Sequence, residues 1–193
     1  MATLTNAVLA GSPAAGAAAS DEVCMSNTKS SAEFDRIFLP HLNAAYNLAR
    51  YLIRNAQDAE DVVQESYLRA FRAFSSFRGE ASRPWLLTIV RNTSFTWLRD
   101  ARARAGQAEY HEELHVSGDD NPETQSIHRE RAGALENCVA QLPPDFREAI
   151  VLREMEELSY REIAEITGVP PGTVMSRLSR ARARLAECLR GRP

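Results

Sequence analysis

Residues 158–185 carry the capping and turn signals of a helix-turn-helix, and they constrain the fold more than any other stretch of the chain. Ser159 and Glu162 form the S-x-x-E pattern of a capping box, in which each side chain accepts a hydrogen bond from an otherwise unpaired amide at a helix start. Gly168 can adopt the positive φ that ends a helix, and Pro170–Pro171 suits the first turn of the next one. The segment therefore predicts two helices that meet at a tight turn.

The second of these helices has an apolar face and a cationic face. Its apolar residues recur at spacings of four and three, which stacks them on one buried stripe: Val174, Leu178, Ala181 and Leu185. To one side of this stripe lie Thr173, Ser176, Arg177, Arg180 and Arg184. Arginines on a helix that is presented by a tight turn suit phosphate anchoring and major-groove contacts. An ordinary solvated helix is the alternative, but the capped helix, the glycine turn and the double proline favour DNA contact.

Length and composition favour an all-α fold of one or two small domains. The chain has 193 residues, of which 44% are hydrophobic and 7% aromatic, and it has few alternating runs of the kind that form strands. No apolar run approaches the roughly 20 residues of a membrane span, so no membrane insertion is expected. The apolar N-terminus has no basic residue before Lys29, unlike a secretory signal. These features predict a cytoplasmic protein.

The three cysteines, Cys24, Cys138 and Cys188, lie far apart in the sequence. Their number is odd and none of them forms a C-x-x-C pair, so neither a disulfide framework nor a cysteine zinc site is indicated. We therefore expect separate thiols in a reducing compartment.

Residues 1–30 are mostly small and polar and are expected to form a disordered extension. Helical spacing begins at Phe34, and Pro40 is expected in a first turn or at a kink. Asp58 resembles an N-cap for the next helix, whose outer face offers Asp61, Gln64 and Glu65. On spacing alone, that polar face could simply be solvated.

Residues 77–85 form a short connection to a third helix that is rich in aromatic and basic residues. Residues 69–104 contain eight Arg and two acids. Basic residues interleaved with aromatics suit single-stranded nucleic acid, in which bases stack on rings and arginines hold the backbone. Most of these rings should nevertheless be core, which leaves Trp97 and the 78–83 loop as the more open candidates.

An acidic segment separates the two halves of the chain. Residues 107–125 contain six acids and no Lys or Arg, which is typical of a flexible linker between domains. The segment also contains His111-Glu-Glu-Leu-His115, which matches the H-E-x-x-H pattern of zinc metalloproteases. Because the segment is short and offers no persuasive third ligand, no metal site and no cofactor are expected, and a zinc hydrolase is kept as a minor alternative.

A second helical domain is predicted from residue 127 onward. Ile127, Leu135 and Leu142 mark one helix that Pro143–Pro144 ends, and a further helix leads into the helix-turn-helix. The expected organisation is therefore a first domain over residues 31–104, a linker over 105–126 and a four-helix domain over 127–193.

The two halves together resemble the extracytoplasmic-function group of sigma factors, the minimal two-domain members of the sigma-70 family. The resemblance covers residues 33–189. In the first half it rests on Asp58-Ala-Glu-Asp-Val-Val-Gln-Glu65, Phe77-Arg-Gly79 and Trp85-Leu-Leu-Thr-Ile-Val-Arg-Asn92. In the second half it rests on Leu142-Pro-Pro-Asp-Phe-Arg-Glu-Ala-Ile-Val-Leu152 and on the helix-turn-helix.

The resemblance implies a function and a role for each set of residues. It implies an alternative sigma factor, not an enzyme, that binds core RNA polymerase at its clamp helices and flap, recognises promoter DNA and is controlled by an anti-sigma factor. Residues implied to dock on the clamp helices are Asp61, Gln64 and Glu65. Residues implied to contact the minus-10 element are Arg78, Gly79, Ser82, Arg83, Trp85, Arg91, Asn92 and Trp97. Residues implied to contact the minus-35 element are Thr173, Ser176, Arg177, Ser179, Arg180 and Arg184. A stand-alone helix-turn-helix regulator is the main alternative.

Overall fold

The computed structural model describes residues 31–79, 81–105 and 126–190, and within these ranges the chain is helical with no strand. A helical segment, α1, covers residues 31–38, and the 3-10 turn Leu39–His41 joins it to the next helix. The following elements are α2 (Leu42–Ile53), α3 (Ala56–Arg72), the 3-10 turn Phe74–Ser76 and α4 (Ser82–Ala105). The second half consists of α5 (Ser126–Ala140), α6 (Pro144–Ile150), the π-helical segment Val151–Met155, α7 (Tyr160–Thr167) and α8 (Pro171–Arg190). The predicted all-α fold is confirmed.

The first domain is built from α1 to α4, with α2, α3 and α4 packed against one another. Pro40 lies in the 3-10 turn, which accounts for the break between α1 and α2. Asp58 is not an N-cap: Asn55 takes that position, and its side-chain oxygen accepts a hydrogen bond from the Asp58 amide at 3.1 Å. Asp58 instead lies in the first turn of α3, where its carboxylate complements the positive end of the helix dipole.

An aromatic cluster joins α1 to the start of α4. The Phe38 side chain is fully buried, and its ring centroid lies 5.2 Å from those of Phe77 and Trp85. Phe34 and Phe74 complete the cluster, with ring centroids 5.5 Å apart. Phe77 and Trp85, on either side of the connection before α4, are thus packed against the domain core.

The helix-turn-helix forms as its local signals predict. Ser159 Oγ accepts a hydrogen bond from the Glu162 amide at 3.2 Å, and the Ser159 amide donates to Glu162 Oε2 at 2.8 Å, which completes the capping box. Gly168 ends α7 with a φ of 69°. Val174, Leu178 and Ala181 are buried against the rest of the domain, so the predicted apolar stripe of α8 is confirmed.

The expectation of separate thiols is wrong for two of the three cysteines. Cys138 on α5 and Cys188 on α8 form a disulfide, with Cα atoms 5.9 Å apart. Spacing in the sequence does not indicate this pairing, because the cysteines are 50 residues apart and come together only through the packing of α8 against α5. Cys24 lies outside the described residues.

The two halves pack directly against each other. Helix α4 contacts α7, and α2 contacts α6 and the π-helical segment. Buried apolar residues of both halves belong to one continuous cluster. The predicted extension over residues 1–30, most of the acidic linker and the His111–His115 motif lie outside the described residues, and the domain boundaries stay predictions. In the described part of the chain, no helix combines the length and apolarity needed to cross a membrane.

Candidate nucleic-acid interface

Helix α8 presents a polar face away from the domain core. Ser176, Ser179 and Arg180 are exposed, and Thr173 is half-buried on the first turn. Arg184 is also exposed, and its guanidinium carbon lies 5.2 Å above the Phe146 ring, a cation–π distance. The apolar stripe thus holds the helix, and this face remains available for contacts with a duplex.

Arg177 differs from the other residues predicted on this face. Its Nη2 donates to Asp145 Oδ2 at 3.0 Å, its Nη1 lies 3.9 Å from Glu148 Oε2, and its side chain is 19% exposed. The guanidinium is therefore turned toward α6. Met175, which is 55% exposed, instead occupies a position on the outer side of α8.

The connection before α4 borders an open cavity of about 720 Å³. Arg78 and Gly79 line it, together with the rings of Phe71, Phe74 and Phe77. Gly79 has a φ of 87°, in the left-handed region that favours glycine. Aromatic rings beside an exposed arginine are the surroundings that an unstacked base needs.

Helix α4 carries the other residues predicted to contact the minus-10 element. Asn92 is exposed, whereas Trp85 and Trp97 are half-buried and pack against the core. Ser82 is half-buried, and its Oγ lies 2.9 Å from His41 Nε2. In this arrangement the two tryptophans stabilise the domain and offer only part of their surface to a ligand.

Arg83 and Arg91 of α4 are both paired with carboxylates of the second domain. Arg83 Nη2 donates to Glu156 Oε2, and Arg91 Nε donates to Glu148 Oε1. The Arg91 guanidinium also lies 4.6 Å above the Phe95 ring. Two of the predicted DNA contacts are thus engaged within the chain.

The predicted core-docking residues lie on the outer face of α3. Asp61 and Gln64 are exposed. Glu65 is partly exposed, and its Oε1 accepts a hydrogen bond from Arg69 Nε at 2.7 Å. This hydrogen bond lowers the pKa of Glu65, so the carboxylate is charged at neutral pH. The face is polar, anionic and accessible to a partner.

Sequence reasoning missed the charged residues that join the two domains. Glu148 is 0% exposed and Glu156 is 4% exposed. Burial raises the pKa of Glu148, and the neighbouring Arg91 and Arg177 oppose that rise. The available signal was a pair of charges, Arg147 and Glu148, at positions flanked by the apolar residues of α6. This pattern indicates that the two charged side chains are close to buried positions, but it does not indicate which residues they bind.

Both halves of the chain match known protein families. The family model for sigma-70 region 2 matches residues 37–104, and the model for sigma-70 region 4 matches residues 132–185. The RNA polymerase sigma-H factor of Pseudomonas aeruginosa is 35% identical over 165 residues, which cover 81% of this chain and 86% of the relative. The ECF RNA polymerase sigma-E factor of Haemophilus influenzae is 42% identical over 144 residues, or 70% of this chain and 75% of the relative.

A solved structure shares the arrangement of both halves. The sigma factor RpoE of Bartonella quintana, crystallised in complex with the anti-sigma factor NepR, matches with a TM-score of 0.71 and 29% identity. The match covers 82% of this chain and 97% of that chain, so it spans both halves. With both region models matched in order, and with ECF sigma factors as relatives, the chain belongs to the sigma-70 family of RNA polymerase sigma factors, in its extracytoplasmic-function group.

Proposed function

We propose that this chain binds core RNA polymerase in the cytoplasm and directs it to promoters, and that it performs no covalent chemistry of its own. The observation that carries the proposal is the presence of a region 2 domain and a region 4 domain, in that order, in one chain. The energy for promoter opening then comes from binding. Capture of an extruded base offsets an unstacking cost of a few kcal/mol.

We assign the base-capture site to the cavity beside Arg78 and Gly79. Its aromatic rings can stack with a base, and Arg78 can hold the adjacent phosphate. Asn92 extends this surface along α4. The lining chemistry of the cavity and the exposure of Arg78 and Asn92 support minus-10 recognition by the first domain.

We assign minus-35 recognition to the outer face of α8. Ser176, Ser179, Arg180 and Arg184 are exposed there, whereas Arg177 acts mainly by fixing α8 to α6 through Asp145. Arginine can contact both base edges and phosphates from such a helix.

The first test is transcription with purified components. Core polymerase with this chain should initiate at discrete promoters recovered from the source genome, and core polymerase alone should not. A stable homodimer that binds a palindromic operator and has no affinity for polymerase would show a stand-alone regulator instead.

The second test addresses the minus-35 face. Arg180→Ala should weaken promoter binding by the holoenzyme and reduce the slope of log affinity against log salt by about 1, because one phosphate contact is lost. Arg182→Ala is the matched control, since Arg182 lies on the same helix but pairs with Glu154 at 2.6 Å. Equal effects of the two variants would contradict insertion of this face into the groove.

The third test addresses docking on the polymerase. Asp61→Ala combined with Gln64→Ala should lower the affinity for core polymerase. Asp35→Ala is the control, because Asp35 is also an exposed carboxylate of the first domain but lies on α1. Normal core affinity of the double variant would refute the docking assignment.

We also propose that an anti-sigma factor binds this chain. The support is the likeness, over both domains, to the Bartonella quintana sigma factor that is bound to NepR. Affinity purification from the source organism, followed by identification of a stoichiometric partner that blocks transcription, tests this.

A further inference from the structure

We propose that Cys138 and Cys188 are a reversible redox pair, at which a dithiol reduces the disulfide and oxidised glutathione restores it, and that the oxidised state fixes α8 for DNA binding. The inference rests on the proposed function, which places the chain in the cytoplasm and assigns the outer face of α8 to DNA. Disulfides of cytoplasmic proteins are usually transient, and many of them sense the redox state.

The disulfide ties both ends of the second domain together. Cys138 lies near the C-terminal end of α5, and Cys188 lies in the last turn of α8. The two are 50 residues apart, and the chain between them includes α6, α7 and most of α8. Because a disulfide restrains the loop that it closes, this one bears on the whole helix-turn-helix.

The α5 end of the disulfide is fixed without the bond. Cys138 is 1% exposed, and α5 packs against α8. Two residues later, the Ala140 carbonyl accepts a hydrogen bond from Arg147 Nη2 at 2.6 Å, which joins the end of α5 to α6. Breaking the disulfide therefore leaves Cys138 in place.

The α8 end depends on the disulfide much more. The buried stripe of α8 stops at Ala181, and Leu185, one turn later, is only partly buried. Over residues 186–190, Cys188 is the one side chain that is not exposed. The disulfide is thus the main attachment of the last turn of α8 to the rest of the domain.

The two sulfurs differ in accessibility, and this sets the course of reduction. Cys188 is half-buried, whereas Cys138 is buried, so an incoming thiolate attacks Cys188 Sγ. A mixed disulfide forms at Cys188, the bond to Cys138 breaks, and the Cys138 sulfur leaves as a thiolate and takes up a proton. The second thiol of the reductant, once deprotonated, attacks the reductant's own sulfur, and Cys188 leaves and is protonated.

Two electrons and two protons thus pass from the dithiol, which becomes a disulfide, to the cysteine pair. Oxidised glutathione reverses the exchange and leaves as two reduced glutathione molecules. The reduced state is also accommodated, because Gln141 Oε1 lies 3.9 Å from Cys188 Sγ and provides an acceptor for the new thiol.

Reduction loosens the part of α8 that carries Arg184. This residue is exposed on the face assigned to the minus-35 element, one turn before Cys188. A helix end with few buried contacts opens locally at a low free-energy cost. DNA must then order this end again, and ordering one such side chain weakens binding by about two- to tenfold.

The first test addresses the chemistry of the pair. It uses the full-length chain with Cys24→Ser, which leaves Cys138 and Cys188 as the remaining cysteines. The folded, oxidised chain is treated with dithiothreitol and then returned to oxidised glutathione, and free thiols are alkylated and counted by mass spectrometry at each stage.

We expect the folded chain to show no free thiol at first, two after dithiothreitol and none, with an internal disulfide, after glutathione. A disulfide that dithiothreitol reduces only in denaturant, or that does not re-form, would overturn the proposal.

The second test compares promoter binding by holoenzyme assembled with the oxidised or the reduced chain. The reduced chain should bind about two- to tenfold more weakly. Cys188→Ser in the same background is the matched control: it cannot form the disulfide, so it should bind like the reduced chain with or without dithiothreitol. A difference below twofold between the two redox states, or an equal response of Cys188→Ser to dithiothreitol, would refute the switch.

Circular dichroism separates a switch from a bond that is needed for folding. The reduced chain and Cys188→Ser should keep the helical signal of the oxidised chain, and a loss of that signal on reduction would also overturn the proposal. Transcription with core polymerase is measured in both redox states. No transcription in either state would refute the proposed function, whereas equal transcription in both would refute the switch alone.

Discussion

Replacing Arg147 with methionine should lower the free energy of unfolding and allow the two domains to unfold separately. Methionine keeps much of the side-chain volume but leaves four backbone carbonyls without the guanidinium. The bonds to Leu52 and Leu142 are buried, and a buried acceptor that is left unsatisfied costs about 1–3 kcal/mol. Two such acceptors give an expected loss of about 2–6 kcal/mol, a large part of the roughly 5–15 kcal/mol that stabilises a typical domain.

The position of the tryptophans provides the assay. Trp85 and Trp97 are the two tryptophans of the chain, and both lie on α4 of the first domain. Tryptophan fluorescence therefore reports unfolding of the first domain, while far-UV circular dichroism reports helices of both domains. In urea, the two signals should change together for the natural chain and at separate midpoints for Arg147→Met.

Arg153→Met is the matched control. Arg153 Nη1 donates to the carbonyl of Leu158 at 2.7 Å, and its guanidinium lies 5.1 Å above the Tyr160 ring, so its contacts stay within the second domain. This variant should lose about 1 kcal/mol and keep coincident transitions. Coincident transitions and an unchanged free energy of unfolding in Arg147→Met would refute the argument that Arg147 joins the domains.

Three further predictions concern local structure. Ser159→Ala should cost about 1 kcal/mol of stability. The hydrogen bond from the Ser159 hydroxyl is the main cause that lowers the pKa of Glu162 below its ordinary 4.5. Ionised Glu162 therefore stabilises the fold above pH 4.5, and this contribution is lost as the pH falls through the lowered pKa. An unchanged Glu162 titration in the variant, measured by NMR, would contradict the capping box. Thiol titration of the unreduced, denatured chain should find one free thiol, and three after reduction, because Cys138 and Cys188 are bonded; three thiols before reduction would refute the disulfide. Phe38→Ala should cost about 3–5 kcal/mol because Phe38 is fully buried among four rings, and a loss under about 1 kcal/mol in urea denaturation would contradict that packing.

Much of the helix-turn-helix could be predicted from the sequence because its signals are local. Ser159 and Glu162 are three residues apart, so the two hydrogen bonds of the capping box involve a single turn of chain. The apolar stripe of α8 needs only the helical period. Asp58 and Asn55 show the limit of this approach, since both residue types can cap a helix and only the structure shows that Asn55 does.

The residues of the proposed DNA surfaces could be predicted from the sequence. Which of them are exposed and which are paired with carboxylates of the same chain could not. Arg180 and Asn92 are exposed as expected. Arg91 and Arg177 are instead paired with carboxylates of α6, and Arg83 is paired with Glu156, which follows the π-helical segment. Periodicity shows that a face is polar, but it does not show whether that face meets water, DNA or another part of the chain.

The capping box of α7, the turn at Gly168 and the apolar stripe of α8 follow from the sequence alone, because each depends on one local stretch of chain. The family resemblance follows from the order of the motifs along the chain. Tertiary structure alone decided the disulfide, the burial of Glu148 and the closure of one domain on the other. Arg91 and Glu148 are 57 residues apart, and Arg147 reaches a carbonyl 96 residues away. Such pairs form because packed helices bring their faces together, and the charge of each side chain gives no indication of which distant partner will neutralise it.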